Sequence, residues 1–388
     1  MKKLLLLAAA AALLAPQAYG KEKKTSAPAS TIKVRNVLEP AAYGATHFGG
    51  YLGEKLDLCI DNRLMAQDIE RVVQPFRDKP DGNWGFRSEF WGKWTLGAIA
   101  SYRYNKDPEL LRKIEGGVES LLVTQQPDGY IGNYAPEAQL TNWDVWGRKY
   151  TMLGLLAYYD LTGDKKALDG TVRLADHLLT QIPAVRQIER TGIYRGMSSC
   201  SILEPIMLLY NRTLDEKYLD FARYIVDRME SADGPQLIAK ALDGVPVSER
   251  FPLDDPSRGW FVWENGQKAY EMMSCYDGLL ELYKVTNDPR YLKAVEATVT
   301  SIIADEINIA GSGSSFECFY KGKALQTEPA YHTMETCVTM TWMKLCYDLL
   351  RLTRNPLYAD QIERSAYNAL AASMKEDASQ IAKYSPLE

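Results

Sequence analysis

The chain has 388 residues, a formal net charge of −5, 46% hydrophobic residues and 24% charged residues. That composition leaves room for a large apolar core, and the lack of any polybasic block argues against nucleic acid or an anionic membrane surface as a partner. The six cysteines (Cys59, Cys200, Cys275, Cys318, Cys337 and Cys346) are too sparse and too unevenly spaced for a disulfide framework, and read as small buried apolar side chains.

The first residues read as an address. Met1-Lys2-Lys3 is a short basic stretch, Leu4 to Leu14 is apolar, and Ala18-Tyr19-Gly20 offers small residues at a cut before Lys21. This pattern predicts a signal peptide over 1–20, and so export to the periplasm or the extracellular space. The apolar run is short for a spanning helix, so no stable membrane anchor is predicted. Residues 21–45 read as a tether and extended segment, and 46–388 as the main domain.

An apolar-periodic helix is predicted near Asn62 to Phe76, and a repeated phrase follows it. An apolar helix ends, a Thr/Asn-x-Asp-like turn intervenes, and a second helix opens. The turns are Asn105-Lys106-Asp107, Thr162-Gly163-Asp164, Thr213-Leu214-Asp215, Thr286-Asn287-Asp288 and Thr353-Arg354-Asn355. Asp or Asn caps the next helix by accepting a backbone N–H, and Pro108, Pro289 and Pro356 sit where a missing N–H costs little. Five hairpins plus one unpaired helix predict an all-α fold, an (α/α)6 toroid in which inner and outer helices alternate.

Six of the eight tryptophans form pairs three residues apart: Trp91/Trp94, Trp143/Trp146 and Trp260/Trp263. Each pair lies in or just before the first helix of a hairpin. In a toroid those helices begin at one mouth, so the pairs are expected to line one cavity and stack on sugar rings. Polar groups stand among them: Glu89, Lys93, Asp144, Arg148, Lys149, Glu264 and Gln267. Trp91, Trp94, Trp143, Asp144, Trp146, Lys149 and Trp263 are therefore candidate substrate-binding residues.

The densest chemistry lies between residues 311 and 346. A Gly/Ser loop from Gly311 presents Glu317, a candidate acid/base for glycoside cleavage. Glu335-Thr336-Cys337 opens an apolar helix, and a carboxylate and a thiolate two residues apart can share a zinc ion.

At these residues the sequence resembles glycoside hydrolase family 127, which includes β-L-arabinofuranosidases. The resemblance is carried by the loop ending in Glu317-Cys318-Phe319, by Glu335-Thr336-Cys337, and by the run from Tyr358 to Leu370. Trp143 to Tyr150 and Tyr270 to Cys275 resemble segments of one branch of it. It implies a retaining glycosidase acting on side chains of plant or other polysaccharides. Glu317 then matches the acid/base, Glu335 and Cys337 match two zinc ligands, and Lys268, Ser199 and Tyr150 fall at substrate-lining positions. The family's nucleophile is a zinc-bound cysteine in an adjacent pair well downstream. No cysteine follows Cys346, and the β-sandwich domains that usually follow the toroid are missing. The expectation is thus a C-terminally truncated chain without its nucleophile. Family members also line the sugar with several histidines, whereas this chain has only His47, His177 and His332. Two other readings follow from the same residues. One is a six-hairpin hydrolase or lyase acting on uronic-acid oligosaccharides without zinc, using Asp128, Asp144 or Glu264. The other is an inactive sugar-binding fragment.

Overall fold

The computed structural model describes residues 32–79, 82–251, 266–326 and 333–385. The predicted signal peptide, Trp260, Trp263, Glu264 and His332 lie outside the described residues.

The repeated phrase is a two-residue turn with a fixed chemistry. It joins α3 (Glu89–Asn105) to α4 (Pro108–Leu122), and α5 (Asp144–Thr162) to α6 (Lys165–Gln181). After the short α7 (Met197–Cys200), it joins α8 (Leu203–Thr213) to α9 (Glu216–Met229). Beyond α10 (Leu237–Leu242) it joins α11 (Ala269–Thr286) to α12 (Pro289–Asp305), and α13 (Thr336–Thr353) to α14 (Pro356–Ser365). The first turn residue is left-handed each time: Lys106, Gly163, Leu214, Asn287 and Arg354 have φ between 54° and 75°. The second is the N-cap: Asp107, Asp164, Asp215, Asp288 and Asn355 each accept a backbone N–H two residues on. The threonines of the phrase accept from the cap residue's own N–H, at 3.1 Å for Thr162 to Asp164.

The helix expected near Asn62 to Phe76 is two elements rather than one. Helix α1 (Gly50–Cys59) continues as a π-helical stretch, Ile60–Met65, and turns at Asp68 into α2 (Ile69–Asp78). Asp68 caps α2 by accepting from Glu70 N and Arg71 N at 3.0 and 3.4 Å. The π stretch shifts the side-chain phase by one residue, so the apolar face does not keep a 3.6 period across Asn62 to Phe76. Helix α2 then packs on α4 and α3 at the first hairpin of the ring.

The first helices of the hairpins form the inner layer. Helix α3 packs on α5, α5 on α8, α8 on α11 and α11 on α13, while α2, α4 and α6 pack in sequence outside. Between the layers runs one apolar cluster, from Val73 and Trp91 through Leu155, Leu209 and Leu279 to Trp342 and Leu349. Two glycines set the tightest approach. A Cβ on Gly92 of α3 would lie 2.1 Å from Tyr150 O of α5, and one on Gly154 of α5 would lie 2.7 Å from the Trp91 ring.

The inner helices start at one end of the ring and finish at the other. At the finishing end the extended segment is tied down rather than loose. Lys33 N and Val34 N donate to Lys284 O of α11, Val37 N and Leu38 N to Arg351 O of α13, and Gly44 N to Arg103 O of α3. Each acceptor lies in the last turn of its helix, where carbonyls have no intrahelical partner. No helix among the described residues is long and apolar enough to cross a membrane.

Candidate active site

At the starting end, Glu317 stands on a tight hairpin. Ser315 N donates to Cys318 O and Cys318 N to Ser315 O, both at 2.9 Å. The two residues between them, Phe316 and Glu317, are left-handed with φ of 46° and 69°. Such a turn ordinarily takes Asn-Gly, and each side chain held there costs roughly 1–2 kcal/mol. The surroundings hold it. Ala269 N donates to Glu317 O and Phe319 N to Gln267 O, which ties the turn to the start of α11, and Met334 N donates to Ser314 O.

This places Glu317 within a cluster of charges. Lys268 Nζ bonds Glu317 Oε2 and lies 3.6 Å from Glu271 Oε1. Lys383 Nζ is 2.5 Å from Glu317 Oε1, and Tyr384 OH donates to the same oxygen at 3.0 Å. Thr336 N donates to Lys383 O, so the segment carrying Lys383 and Tyr384 is anchored at the start of α13 beside Glu335. Burial pushes the Glu317 carboxyl up, but Lys268 and Lys383 outweigh it and hold the group down at about 2. Glu335 goes the other way, to about 8, through burial and the Glu317 charge. Burial likewise raises Glu271. One carboxylate is thus kept ionised beside two that favour the proton. Among the described residues, the buried atoms Glu271 Oε2, Glu335 Oε2 and Ser199 Oγ have no hydrogen-bond partner. Of these, Glu271 Oε2 and Glu335 Oε2 belong to the cluster around Glu317, where unpaired buried acceptors suit a polyhydroxyl ligand.

The tryptophan pairs divide. Trp146 bonds Glu89 Oε2 through Nε1 and meets Tyr150 and Tyr270 edge to face at 5.3 and 5.2 Å. Tyr150 OH and Tyr270 OH bond each other, Lys149 Nζ lies 4.5 Å from the Trp146 ring, and Trp143 stacks its edge on Trp146 at 5.9 Å. Lys93 pairs with Glu89 at 3.1 Å and sits 4.6 Å from the Tyr270 ring. Lys93 also interacts with Cys337, so this aromatic wall adjoins the start of α13. Burial lowers Lys149 to about 8.

Trp91 and Trp94 are a correction. Trp91 is fully buried and donates to Gly117 O of α4, and Trp94 donates to Leu64 O at 3.2 Å. At 100° per residue they lie across α3 from Glu89 and Lys93, so they fill the layer between inner and outer helices. Asp144 is a second correction. It is buried against Arg148, accepts from Tyr130 OH and Leu140 N at 2.8 Å, and faces His177 and α6 instead of the mouth. Glu271, Tyr270, Lys383 and Tyr384 were given no role by sequence reasoning. Tyr270 and Glu271 were visible only as part of a family-like segment, and no local pattern marked the other two.

A zinc ion at Glu335 and Cys337 meets a shortage of donors. The orphan Glu335 Oε2 is a suitable ligand atom, and burial, partly offset by Lys93, raises the Cys337 thiol to about 11. Zinc takes four ligands, or three in an open site. Among the described residues no group of three or more His, Cys, Asp or Glu side chains could hold a metal. The described residues therefore do not complete the site.

Comparison with known proteins accords with this architecture. The chain is 22% identical over 322 residues to a non-reducing end β-L-arabinofuranosidase of Bifidobacterium longum subsp. longum, covering 76% of this chain and 47% of the relative. The chain thus spans about half the length of that curated relative. A crystal structure of a β-L-arabinofuranosidase of the same glycoside hydrolase family from Geobacillus stearothermophilus T6 superposes with a TM-score of 0.66 at 21% identity, covering 88% of this chain and 58% of that one. An α-mannanase of Bacteroides thetaiotaomicron from another family gives 0.51 at 13% identity, covering 86% and 91%. These likenesses show the helical toroid. Residues 53–388 match the family model described as "Beta-L-arabinofuranosidase, GH127 catalytic domain", and the chain belongs to that family, glycoside hydrolase family 127.

Proposed function

We propose that the chain is the catalytic toroid of an exported glycoside hydrolase that removes β-L-arabinofuranosyl or similar side chains from polysaccharides, with Glu317 as acid/base of a retaining reaction. The observation that carries this reading is the meeting of Glu317, Glu335 and Glu271 with Lys268, Lys383 and Tyr384 at the start of the inner helices. A general acid must hold a proton when the leaving oxygen needs it. In the free chain the two lysines keep Glu317 ionised. Lys268 is buried, but the Lys383 side chain is 55% exposed, so an entering sugar meets Lys383 first. Displacing that ammonium removes the smaller of the two lysine influences and lifts the Glu317 pKa toward a proton donor's range, with Lys268 still in place. Trp143 and Tyr270, both partly exposed, supply the apolar wall for the sugar face, backed by the buried Trp146 and Tyr150.

The test is turnover and binding on an aryl β-L-arabinofuranoside with Glu317→Gln. Turnover is expected to fall by about 10³-fold or more with binding retained. Unchanged turnover removes Glu317 from the mechanism. Zinc bound to Glu335 and Cys337 belongs to the same proposal and requires further donors. Metal analysis of the purified protein, with and without Cys337→Ser, checks it, and an active, metal-free protein sinks the zinc–thiolate route. A second reading has its own observation. Lys93, Lys268 and Lys383 all act electrostatically on Glu335 or Cys337, and ammonium groups suit a carboxylate-bearing sugar. Turnover of uronic-acid oligosaccharides but not of the arabinofuranoside would favour it.

A further inference from the structure

The turn that carries Glu317 has a buried clamp on its outgoing leg. Glu306, just past the end of α12, is fully buried. Its carboxylate accepts three consecutive backbone N–H groups: Tyr320 N at 3.1 Å and Gly322 N at 3.2 Å on Oε2, and Lys321 N at 2.8 Å on Oε1. No lysine, arginine or histidine among the described residues forms an ion pair with it. A buried carboxyl without a counter-ion is costly to ionise: burial pushes Glu306 up to about 7, with the three backbone N–H groups opposing that rise. The segment it holds is awkward. Lys321 is left-handed at φ 63°, three residues after a turn whose two central residues are also left-handed. Neighbouring anchors secure the incoming leg. Asn308 Oδ1 accepts from Ala310 N and Ser312 N, Ser312 Oγ meets Thr339 Oγ1 at 2.7 Å, and Ser365 Oγ donates to Gly311 O. Gly313 lies against Glu306 itself, where an added Cβ would be 3.0 Å from Glu306 O. The incoming leg is thus pinned by neutral groups, and the outgoing leg by Phe319 N on Gln267 O and by the Glu306 carboxyl across Tyr320 to Gly322.

We infer that Glu306 is a positioning residue for Glu317, fixing the strained turn so that the Glu317 carboxyl stays at the reacting atoms. The inference rests on Glu317 being the acid/base. Only a carboxylate fits this place. Glutamine has one acceptor oxygen, so it can serve the pair Tyr320 and Gly322 or serve Lys321, and its NH2 group would face the remaining N–H. The turn would then relax toward ordinary backbone angles and move the Glu317 side chain. A displacement of about 1 Å costs on the order of 100-fold in rate.

The experiment compares wild type, Glu306→Gln and Glu306→Asp on p-nitrophenyl β-L-arabinofuranoside, with amide hydrogen exchange read on the same proteins. Glu306→Gln is expected to lower kcat by about 10- to 100-fold with KM within about threefold. Glu306→Asp keeps both acceptor oxygens on a shorter stem and is expected to recover part of the loss. Exchange is expected to quicken at Ser315, Cys318 and Tyr320 to Gly322 and to stay unchanged in α11 to α14. Unchanged kcat, or a rise in KM alone, overturns the inference. If wild type does not hydrolyse the probe, the function reading fails and the exchange arm decides alone. Local quickening then upholds Glu306 as the clamp on this turn, and unchanged or helix-wide quickening refutes it.

Discussion

Replacing Lys268 with methionine tests the electrostatics of the site directly. Lys268 is 2% exposed and bonds Glu317, with Glu271 3.6 Å away. Its removal leaves two carboxylates facing each other across an apolar stem. The Glu317 carboxyl stands at about 2 against an ordinary 4.5. That shift corresponds to about 3 kcal/mol of native-state stabilisation. Lys268 supplies the larger part, since it acts on Glu317 more strongly than the half-exposed Lys383 does. Unfolding entropy for a body of this size is about 0.7 kcal/mol per kelvin. Lys268→Met, losing about 2 kcal/mol of this, should therefore lower Tm by roughly 3 °C at pH 7. The folded pKa lies below the unfolded one, so the contribution is complete above the unfolded value and lost as pH falls from about 4.5 toward 2. The gap between wild type and variant should close over that window. Lys268→Met combined with Glu317→Gln removes both charges and is expected to regain most of the loss, since breaking a buried pair costs more than replacing it whole. The measurement is thermal unfolding by circular dichroism from pH 7 to pH 2.5. A single variant within 1 °C of wild type at pH 7, or a double variant no better than the single, refutes the account.

Two further outcomes follow from the packing. Gly92→Ala drives a methyl into Tyr150 O, a backbone atom that cannot swing away, so α3 and α5 must separate. A loss of about 1–3 kcal/mol is expected in denaturant unfolding, and a neutral result would mean the two helices are not in close contact. Asp144→Asn weakens a buried pair with Arg148 that does not face the mouth. It should cost stability, about 3 kcal/mol by the behaviour of buried pairs, while KM for the arabinofuranoside stays within about twofold. A large KM rise at unchanged stability would return Asp144 to the substrate.

The hairpins were legible because each turn is written locally. Thr162 and Asp164, or Thr286 and Asp288, satisfy backbone groups within two residues of themselves, so five copies can be read without knowing what the helices pack against. The helices before them were harder to read, because the π stretch at Ile60–Met65 breaks the phase and Met65 to Asp68 lacks the phrase. Glu317 was marked by its Gly/Ser loop and by family likeness, but its environment was not. Lys268 and Lys383 are 115 residues apart in the chain and 49 and 66 from Glu317, and only the packing of α11 on α13 brings them to one carboxylate.

The spacing of the tryptophans shows the boundary most clearly. Two residues three apart share a helix face, and the sequence alone determines that much. Which face turns toward the axis depends on where the helix begins and what its neighbours fill. On α3 the axis receives Glu89 and Lys93, and Trp91 and Trp94 go to the core. On α5 it receives Trp146, Lys149 and Tyr150, and Asp144 and Arg148 turn outward. Local chemistry determined the hairpins of this protein. Helix rotation, set by close contacts such as Gly92 on Tyr150, decided which residues became its site.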